Sequence, residues 1–434
     1  MKWFAGFFCI IYTCVGFAQT DETIFREFQF DFSTPGARAN AMGRAFVGLS
    51  DEATAAYNNP AGLSVLNAPE FSIEYRDTRS RFDALEPNEK FQLLDGDPER
   101  KVVDLQGATF VSFSVSKYKF NFSIFFVNHL DYRRPETNEE TFWEEVQDYF
   151  DTFNYLNAHE VKQILIETYG FSVSRRIGKW SLGFSFGYSN LKLDYTYETK
   201  LSSDDFPFSD LVDSRAQHDS LKPTYVLGIL YQAHPKLKLA LSIKKQPRFS
   251  YQELVITKAF PEAEAIPVQF KVPDSYQIGL AFQPNDFWTW LFELDWVRYR
   301  QLSSSGFTVI SSIDRGPGRE LFQFDAEDYK NNDGVGLRTG IEYLYPRGKN
   351  IFAFRGGLFT DPDHKTRFDA TPVEGVDPKI YEIQDFIFNT GEGGTDLGHT
   401  LGIGYVRNNK FQLDLAYVET QRFRWLVSSF LYRF

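Results

Sequence analysis

From Phe71 onward, apolar and aromatic residues recur at every second position, stretch after stretch, to the end of the chain. Successive strand side chains point to opposite faces, so this spacing paints one face of a sheet apolar. Phe71, Ile73 and Tyr75 open the series, and Val111–Val115 and Phe120–Phe126 continue it at the same period. Tyr169–Val173, Trp180–Tyr188, Tyr225–Tyr231 and Leu237–Ile243 follow, then Tyr276–Phe282, Trp288–Trp296 and Val335–Tyr343. A less regular stretch around Phe352, Phe354 and Leu358 precedes Leu397–Tyr405, Phe411–Tyr417 and Leu426–Phe434. The pattern predicts 14 strands. Tight connections are expected at 117–119, 177–179, 233–236, 284–287, 346–349 and 407–410. Long loops are expected over about 78–107, 129–166, 199–221, 247–274, 301–333 and 361–396.

A meander with tight turns at one end and long loops at the other is the pattern of an outer-membrane barrel. The even strand count agrees with closure, because an open edge in lipid leaves backbone groups unpaired. A soluble sandwich or propeller would also alternate, but would bury its apolar face and need no aromatics at strand ends. Here Tyr75, Tyr188, Tyr231, Trp288, Trp296, Tyr343, Tyr405 and Tyr432 flank aliphatic middles, as interfacial girdles do. The expected fold class is all-β: a 14-stranded antiparallel transmembrane β-barrel with an N-terminal plug, or hatch, in the lumen and one helical extracellular loop.

The N-terminus reads differently. Lys2 precedes an apolar run from Trp3 to Val15, and Gly16-Phe17-Ala18 offers small residues before a cut ahead of Gln19. That is the form of a secretory signal peptide; the alternative is a buried helix. The expected division is 1–18 signal peptide, 19–68 hatch and 69–434 barrel. Both cysteines, Cys9 and Cys14, lie in the leader, and Tyr12 is too bulky for a lipoprotein processing site. The mature chain would then rely on neither disulfides nor thiol chemistry. With export of the N-terminus first, the short turns and C-terminus face the periplasm and the long loops face outward.

Composition narrows the choice. Apolar residues are 43% and patterned, which excludes disorder, and no later stretch approaches the length of a membrane helix. A net charge of −12 argues against a nucleic-acid surface. The histidines, His129, His159, His218, His234, His364 and His399, fall mostly in expected loops and outside any hydrolase or zinc motif, so no enzyme, metal or cofactor is expected. The acid groups Asp361/Asp363 and Asp325/Glu327/Asp328 lack the spacing of an EF-hand loop, and solvated loops are their default reading.

Fourteen strands enclose a bore that conducts water unless it is filled. The segment before the barrel is rich in small residues, from Gly36 and Ala37 to Ala61 and Gly62, and can fold compactly in a confined space. By parity, the lumen wall of the early strands is small: Ser112, Ser114, Ser116, Asn121, Ser123, Ser172, Ser174, Ser181, Gly183, Ser185 and Gly187. The opposite wall carries Glu293, Asp295, Arg338, Glu342, Arg355 and Asp414. The plug is expected to pack on the small wall, while the charged wall pairs with plug residues or with itself; a wet polar lumen is the alternative. In the second long loop, Phe142, Trp143, Val146, Tyr149, Phe150 and Phe153 recur at helical spacing among acids. They would form either a lid or an apolar capture surface for a greasy ligand.

The stretch Pro35-Gly36-Ala37-Arg38-Ala39-Asn40-Ala41-Met42-Gly43-Arg44 and the later Asn58-Asn59-Pro60-Ala61-Gly62-Leu63 resemble the N-terminal hatch of the FadL/TodX family. The opening around Met42 also looks similar to a branch that includes the PorV secretion-system shuttle proteins. The resemblance implies an outer-membrane transporter of long-chain fatty acids and other hydrophobic compounds, with Gly36, Arg38, Met42, Gly43, Asn59, Pro60, Ala61 and Gly62 in its plug. The alternative is a non-transport barrel acting as a secretion accessory or partner-binding protein. Expected partners are outer-membrane lipid, lipopolysaccharide, a hydrophobic small molecule, and the barrel-insertion machinery reading Phe430, Tyr432 and Phe434.

Overall fold

Residues that alternate apolar and small or polar side chains form strands because only a pleated backbone separates the two kinds onto two faces. In the computed structural model the described residues are 34–83, 100–141, 155–203, 206–257, 260–302, 308–314, 319–363, 366–373 and 394–434, with 378, 381, 385 and 389. The barrel strands are β1 (Glu70–Asp83), β2 (Arg100–Lys117), β3 (Phe120–Thr141), β4 (Tyr155–Ile177), β5 (Trp180–Ser203), β6 (Phe206–His234) and β7 (Leu237–Lys245). The second half comprises β8 (Ser275–Phe282), β9 (Trp288–Val297), β10 (Gly334–Arg347), β11 (Asn350–Asp361), β12 (Asp396–Arg407), β13 (Phe411–Glu419) and β14 (Phe423–Arg433). Each pairs antiparallel with the next, and β1 pairs with β14 from Glu70–Arg433 to Ser80–Phe423, so the sheet of 14 strands closes. Closure leaves no edge within the wall.

The tight turns have the backbone that two-residue hairpins demand. Tyr118 and Lys119 both take positive φ, 52° and 68°, as do Asn408 and Asn409, and glycine fills that region at Gly178 and Gly348. The outer face is apolar, with Ile124, Leu182, Ile278, Leu337, Leu401 and Leu413 all exposed. Aromatic pairs ring the short-turn end: Trp180–Tyr231 at 4.4 Å between centroids, Trp288–Tyr343 at 4.7 Å and Phe411–Tyr432 at 4.8 Å. A second ring holds Phe126–Tyr169 and Tyr276–Trp296. Trp288 and Trp296 mark the two rings on one strand, eight residues or about 26 Å apart along it. Before tilt, that matches the roughly 25 Å apolar band of outer-membrane barrels.

The expected long loops need correction. β3 runs to Thr141, β4 starts at Tyr155 and β6 is 29 residues long, so much of 78–107, 129–166 and 199–221 is paired strand. A tilted strand needs only about 9–11 residues to cross a bilayer, and 29 reach roughly 95 Å. Beyond the apolar band neither face meets lipid, so backbone pairing persists after the alternation that advertises it has stopped. The 247–274 connection holds a further hairpin, Arg248–Thr257 with Phe260–Lys271, that pairs onto β6. Another hairpin joins Thr308–Asp314 to Arg319–Asp325. The 1–18 leader and the loop carrying Phe142, Trp143, Val146, Tyr149, Phe150 and Phe153 lie outside the described residues.

Candidate functional site

The segment Thr34–Leu66 is enclosed by the strands rather than added to them. Its short helices α1 (Ala37–Ala41) and α2 (Ala55–Asn58) and the 3-10 turn Pro60–Val65 are almost wholly buried. Helices this short are marginal alone, so the wall holds them. Asn59 takes an extended backbone, φ −147° and ψ 97°, ahead of Pro60, whose ring disfavours helix in the residue before it. The Asn59 side chain accepts from Ala61 N–H at 3.2 Å and donates to Val47 O at 3.1 Å and, on the adjoining wall strand β6, to Ile229 O at 3.4 Å.

Wall glycines mark where this segment runs. A Cβ on Gly402 would overlap Ala41, on Gly340 Met42, on Gly357 Gly43, and on Gly279 Gly48. On Gly183 and Gly228 it would overlap the Asn59–Ala61 stretch. These six glycines lie on β12, β10, β11, β8, β5 and β6; at Gly340, Gly357, Gly279 and Gly183 the contact is backbone to backbone, while Gly402 meets the Ala41 methyl and Gly228 the Asn59 amide. Gly62 has the same role within the segment, against Ser50 O.

Serines of the small wall donate to the segment's carbonyls. Ser112 donates to Ala53 O at 3.2 Å, Ser172 and Ser185 to Ala56 O at 2.8 and 2.7 Å, and Ser242 to Asn58 O at 2.8 Å. Ser116 donates to Leu66 O at 2.9 Å, Asn121 donates to Leu63 O, and Ser64 bonds Ser181 at 2.7 Å. Ser114 and Ser123 bond each other instead, at 2.9 Å. Short turns leave carbonyls unpaired, and a buried unpaired carbonyl is costly, so a serine-lined wall is a physical complement to them.

The other wall is ionic. Arg38 donates to Glu342 from Nε at 3.0 Å and Nη2 at 2.9 Å, and from Nη1 to Asp51 at 2.7 Å. Arg355 joins Glu342 and Asp414, both at 2.7 Å. Arg338 joins Glu293 at 3.1 Å and also Asp295, while Val47 N–H donates to Glu293 at 2.9 Å. Gly36 N–H donates to Glu74, Gly43 N–H to Thr400 Oγ1 at 2.9 Å, and Ala53 N–H to Glu70 at 3.0 Å. Arg44 lies over the Phe359 and Trp425 rings at 5.0 and 5.2 Å. Glu293, Asp295, Arg338, Glu342, Arg355 and Asp414 are all buried on the inner face. Charges removed from water in this way persist only when paired and hydrogen-bonded.

Towards the long-loop end the small wall changes character. On β3 the inward positions run Asn121, Ser123, Phe125 and Val127, and beyond an irregularity Leu130. On β4 Ser172 and Thr168 give way to Ile166 and Ile164, and on β5 Ser185 and Ser189 give way to Leu191 and Leu193. Tyr57, at the end of α2, packs here at 5.9 Å from the Phe125 ring. Its hydroxyl meets His129 Nδ1 at 3.1 Å and Gln246 Nε2 at 3.0 Å, with Lys244 Nζ 4.7 Å from its ring. His129 thus lies on a strand, against its expected place in a loop. This cluster draws on α2, β3 and the end of β7, and only the inward parity of Lys244 with Ser242 signalled any part of it.

Outside the barrel wall, the 246–274 connection is tied by Asp274. It accepts from Lys271 at 2.9 Å, Lys245 at 2.9 Å and Gln246 N–H at 2.9 Å. Burial alone would raise its pKa, but these donors outweigh it and hold the carboxyl at about 2.

No family model matches the chain, and no curated protein does. Solved structures do. A FadL homologue of Pseudomonas aeruginosa is 12% identical, with a TM-score of 0.60 over 93% of this chain and 99% of that one. The Ralstonia pickettii toluene transporter TbuX is 13% identical, at 0.57 over 93% and 99%. The Pseudomonas putida toluene transporter TodX is 13% identical, at 0.56 over 93% and 97%. At this identity the likeness is one of architecture, end to end. The chain therefore has the fold of the FadL and TodX barrels.

Proposed function

We propose that this chain carries hydrophobic molecules, long-chain fatty acids among them, across an outer membrane. They would be captured at the extracellular loops and pass an N-terminal plug, Gly36–Leu63, that closes the bore at rest. The observation that carries the reading is the change in the inner wall. A water-filled pore keeps a polar lumen, whereas Phe125, Val127, Leu130, Ile164, Ile166, Leu191, Leu193 and Val226 present large apolar side chains inward. These residues are packed together, each at most 7% exposed, so a guest enters only as they part; each methylene then moved from water among them gains about 0.8 kcal/mol, which favours a flexible apolar chain and not a hydrated ion. The wall ends at Tyr57, on the segment itself, and so leads a guest to the plug. The solved neighbours support the reading, since two of those named are toluene transporters.

Uptake of labelled long-chain fatty acid and of toluene by a deletion strain tests it. Loss of uptake, restored by the gene, is expected. Normal uptake of both would refute transport and favour a partner-binding or secretion-accessory barrel. Deleting Gly36–Leu63 should leave the protein inserted and raise its conductance in planar bilayers; wild-type conductance would refute the plug.

A further inference from the structure

On β8 and β9 the apolar band of the outer face ends, towards the long loops, in the Tyr276–Trp296 pair. On β12, β13, β14, β1 and β2 it ends in charge. His399, Glu419, Arg424, Arg79 and Asp104 face outward, and each is directly opposite the next across the strands, so they form one row around the wall. Phe411 and Tyr432 belong to the short-turn ring, and Phe71 is opposite Tyr432. Glu419, Arg424 and Arg79 stand eight residues along their strands from Phe411, Tyr432 and Phe71, the same spacing that separates Trp296 from Trp288. The row therefore lies level with the long-loop aromatic ring, where the head groups of a bilayer begin.

The middle of the row sets Arg424 of β14 against Arg79 of β1 across the closing seam. Like charges placed directly opposite repel. Each arginine is held from its far side by a carboxylate. Arg79 donates to Asp104 from Nε at 2.8 Å and Nη2 at 3.1 Å, and Arg424 donates to Glu419 from Nε at 3.2 Å and Nη2 at 2.7 Å. Glu419 also accepts from the Tyr417 hydroxyl at 2.9 Å and lies 3.5 Å from His399 Nε2. Asp77, two residues before Arg79, accepts from Gln106 at 3.1 Å. Both guanidiniums are thus oriented through their Nε edges, both are exposed, and each leaves Nη1 without a partner among the described residues. Below the pair, Ser428 faces outward in the apolar band between Tyr75 on β1 and Leu415 on β13, and its hydroxyl turns onto Tyr75 O at 3.4 Å. A small side chain between two taller ones leaves a furrow in the wall, with Leu426 between it and Arg424.

We propose that Arg79 and Arg424 form a seat for the phosphodiester head of a membrane lipid on the outside of the barrel, with one acyl chain of that lipid lying along Ser428. A phosphate that bridges the two Nη1 groups replaces a repulsion with charge-assisted hydrogen bonds. Because Asp77, Asp104 and Glu419 flank the pair, the seat suits a head of one negative charge, and a dianionic head is repelled. The bound lipid clasps β1 to β14 across the seam. Its binding does not depend on what passes the lumen.

Native mass spectrometry of the full protein released from detergent micelles, with dioleoylphosphatidylglycerol, dioleoylglycerol and inorganic phosphate as probes, tests the seat. Phosphatidylglycerol should bind about tenfold or more tightly than dioleoylglycerol, and excess inorganic phosphate should not displace it. Arg79→Gln combined with Arg424→Gln should bring the two lipids within about twofold of each other. Both side chains are on the surface, so heat-modifiability should be unchanged. Ser428→Phe fills the furrow with the charges intact and should weaken both lipids alike. Equal affinity of the two lipids for the wild type would overturn the seat, as would a phosphatidylglycerol preference that survives the double substitution. Displacement by inorganic phosphate would show a site for a free anion and overturn the lipid. Wild-type binding by Ser428→Phe would overturn the placement of the chain.

Discussion

Arg38→Met tests the hold of the charged wall on the inner segment. Met preserves most of the side-chain stem, so the change removes charge and hydrogen bonds rather than volume. It deletes the paired bonds to Glu342 at 3.0 and 2.9 Å, the bond to Asp51 at 2.7 Å and the approach to Glu52 at 3.5 Å. Glu342 keeps Arg355 at 2.7 Å, but Glu52 and Asp51 lose their cation. Breaking one partner out of a buried pair costs about 3–5 kcal/mol. The serine and asparagine bonds that remain on the small wall contribute about 1 kcal/mol each. At 1.4 kcal/mol per decade, the ratio of docked to undocked segment should fall by roughly a hundredfold to a few thousandfold. The strands keep all their pairing. Heat-modifiability on gels should therefore be unchanged, while conductance in planar bilayers and protease cleavage between Gly36 and Leu66 both rise. Glu342→Gln added to Arg38→Met should do less than the sum of the two, because the changes remove one shared interaction. Wild-type conductance and protection in Arg38→Met would refute the argument.

Further outcomes follow from other contacts. Gly340→Val places a side chain where Met42 lies, and should raise conductance with the barrel still folded; unchanged conductance would count against backbone-to-backbone seating. Asn59→Ala removes the tie to Ile229 O and should cost about 1–3 kcal/mol of segment docking, read as altered fatty-acid uptake without loss of insertion. Asp274 has a depressed pKa, about 2 against an ordinary 3.8, so its stabilisation is present above pH 3.8 and is lost as pH falls through 2. Hydrogen exchange at Gln246 should accelerate over that window, and Asp274→Asn should exchange fast at every pH; a flat profile in the wild type would refute the linkage. Deleting Phe434, which bonds Pro69 O and packs edge-on to Phe113, should lower the yield of folded protein in outer membranes, measured by heat-modifiability.

Much of the architecture is legible because alternation is enforced by two solvents. Lipid outside and a packed segment inside require opposite side chains at successive positions, so Leu413 and Asp414 can be sorted without a structure. Where that constraint ends, legibility ends. Glu167, Asn190 and Lys192 continue strands above the apolar band, and nothing in their polarity distinguishes a strand from a loop. The small wall and the charged wall could be read by parity, but parity carries no information on partners. That Arg38 would choose Glu342, 304 positions away, depends on how the barrel curls. The Tyr57, His129, Lys244 and Gln246 cluster was harder still, because its members come from three elements and none has a motif. A bulge near His129 also shifts the local parity that would have placed it.

The glycines pressed against the inner segment have a consequence for the order of assembly. A wall that touches its contents backbone to backbone leaves no slack through which a folded segment could later be threaded. The segment runs directly into β1, and β1 is the strand on which β14 closes. Gly36 and Ala37 already contact Glu74 of β1 and Ser429 of β14, on the two sides of that last seam. The strands must therefore wrap around a segment that is already in place, with the final seam zipping over it. A lesion at one of these glycines would then slow biogenesis as well as loosen the finished product. Its signature would be an open-sheet intermediate, with β1 and β14 unjoined, that accumulates before the seam closes.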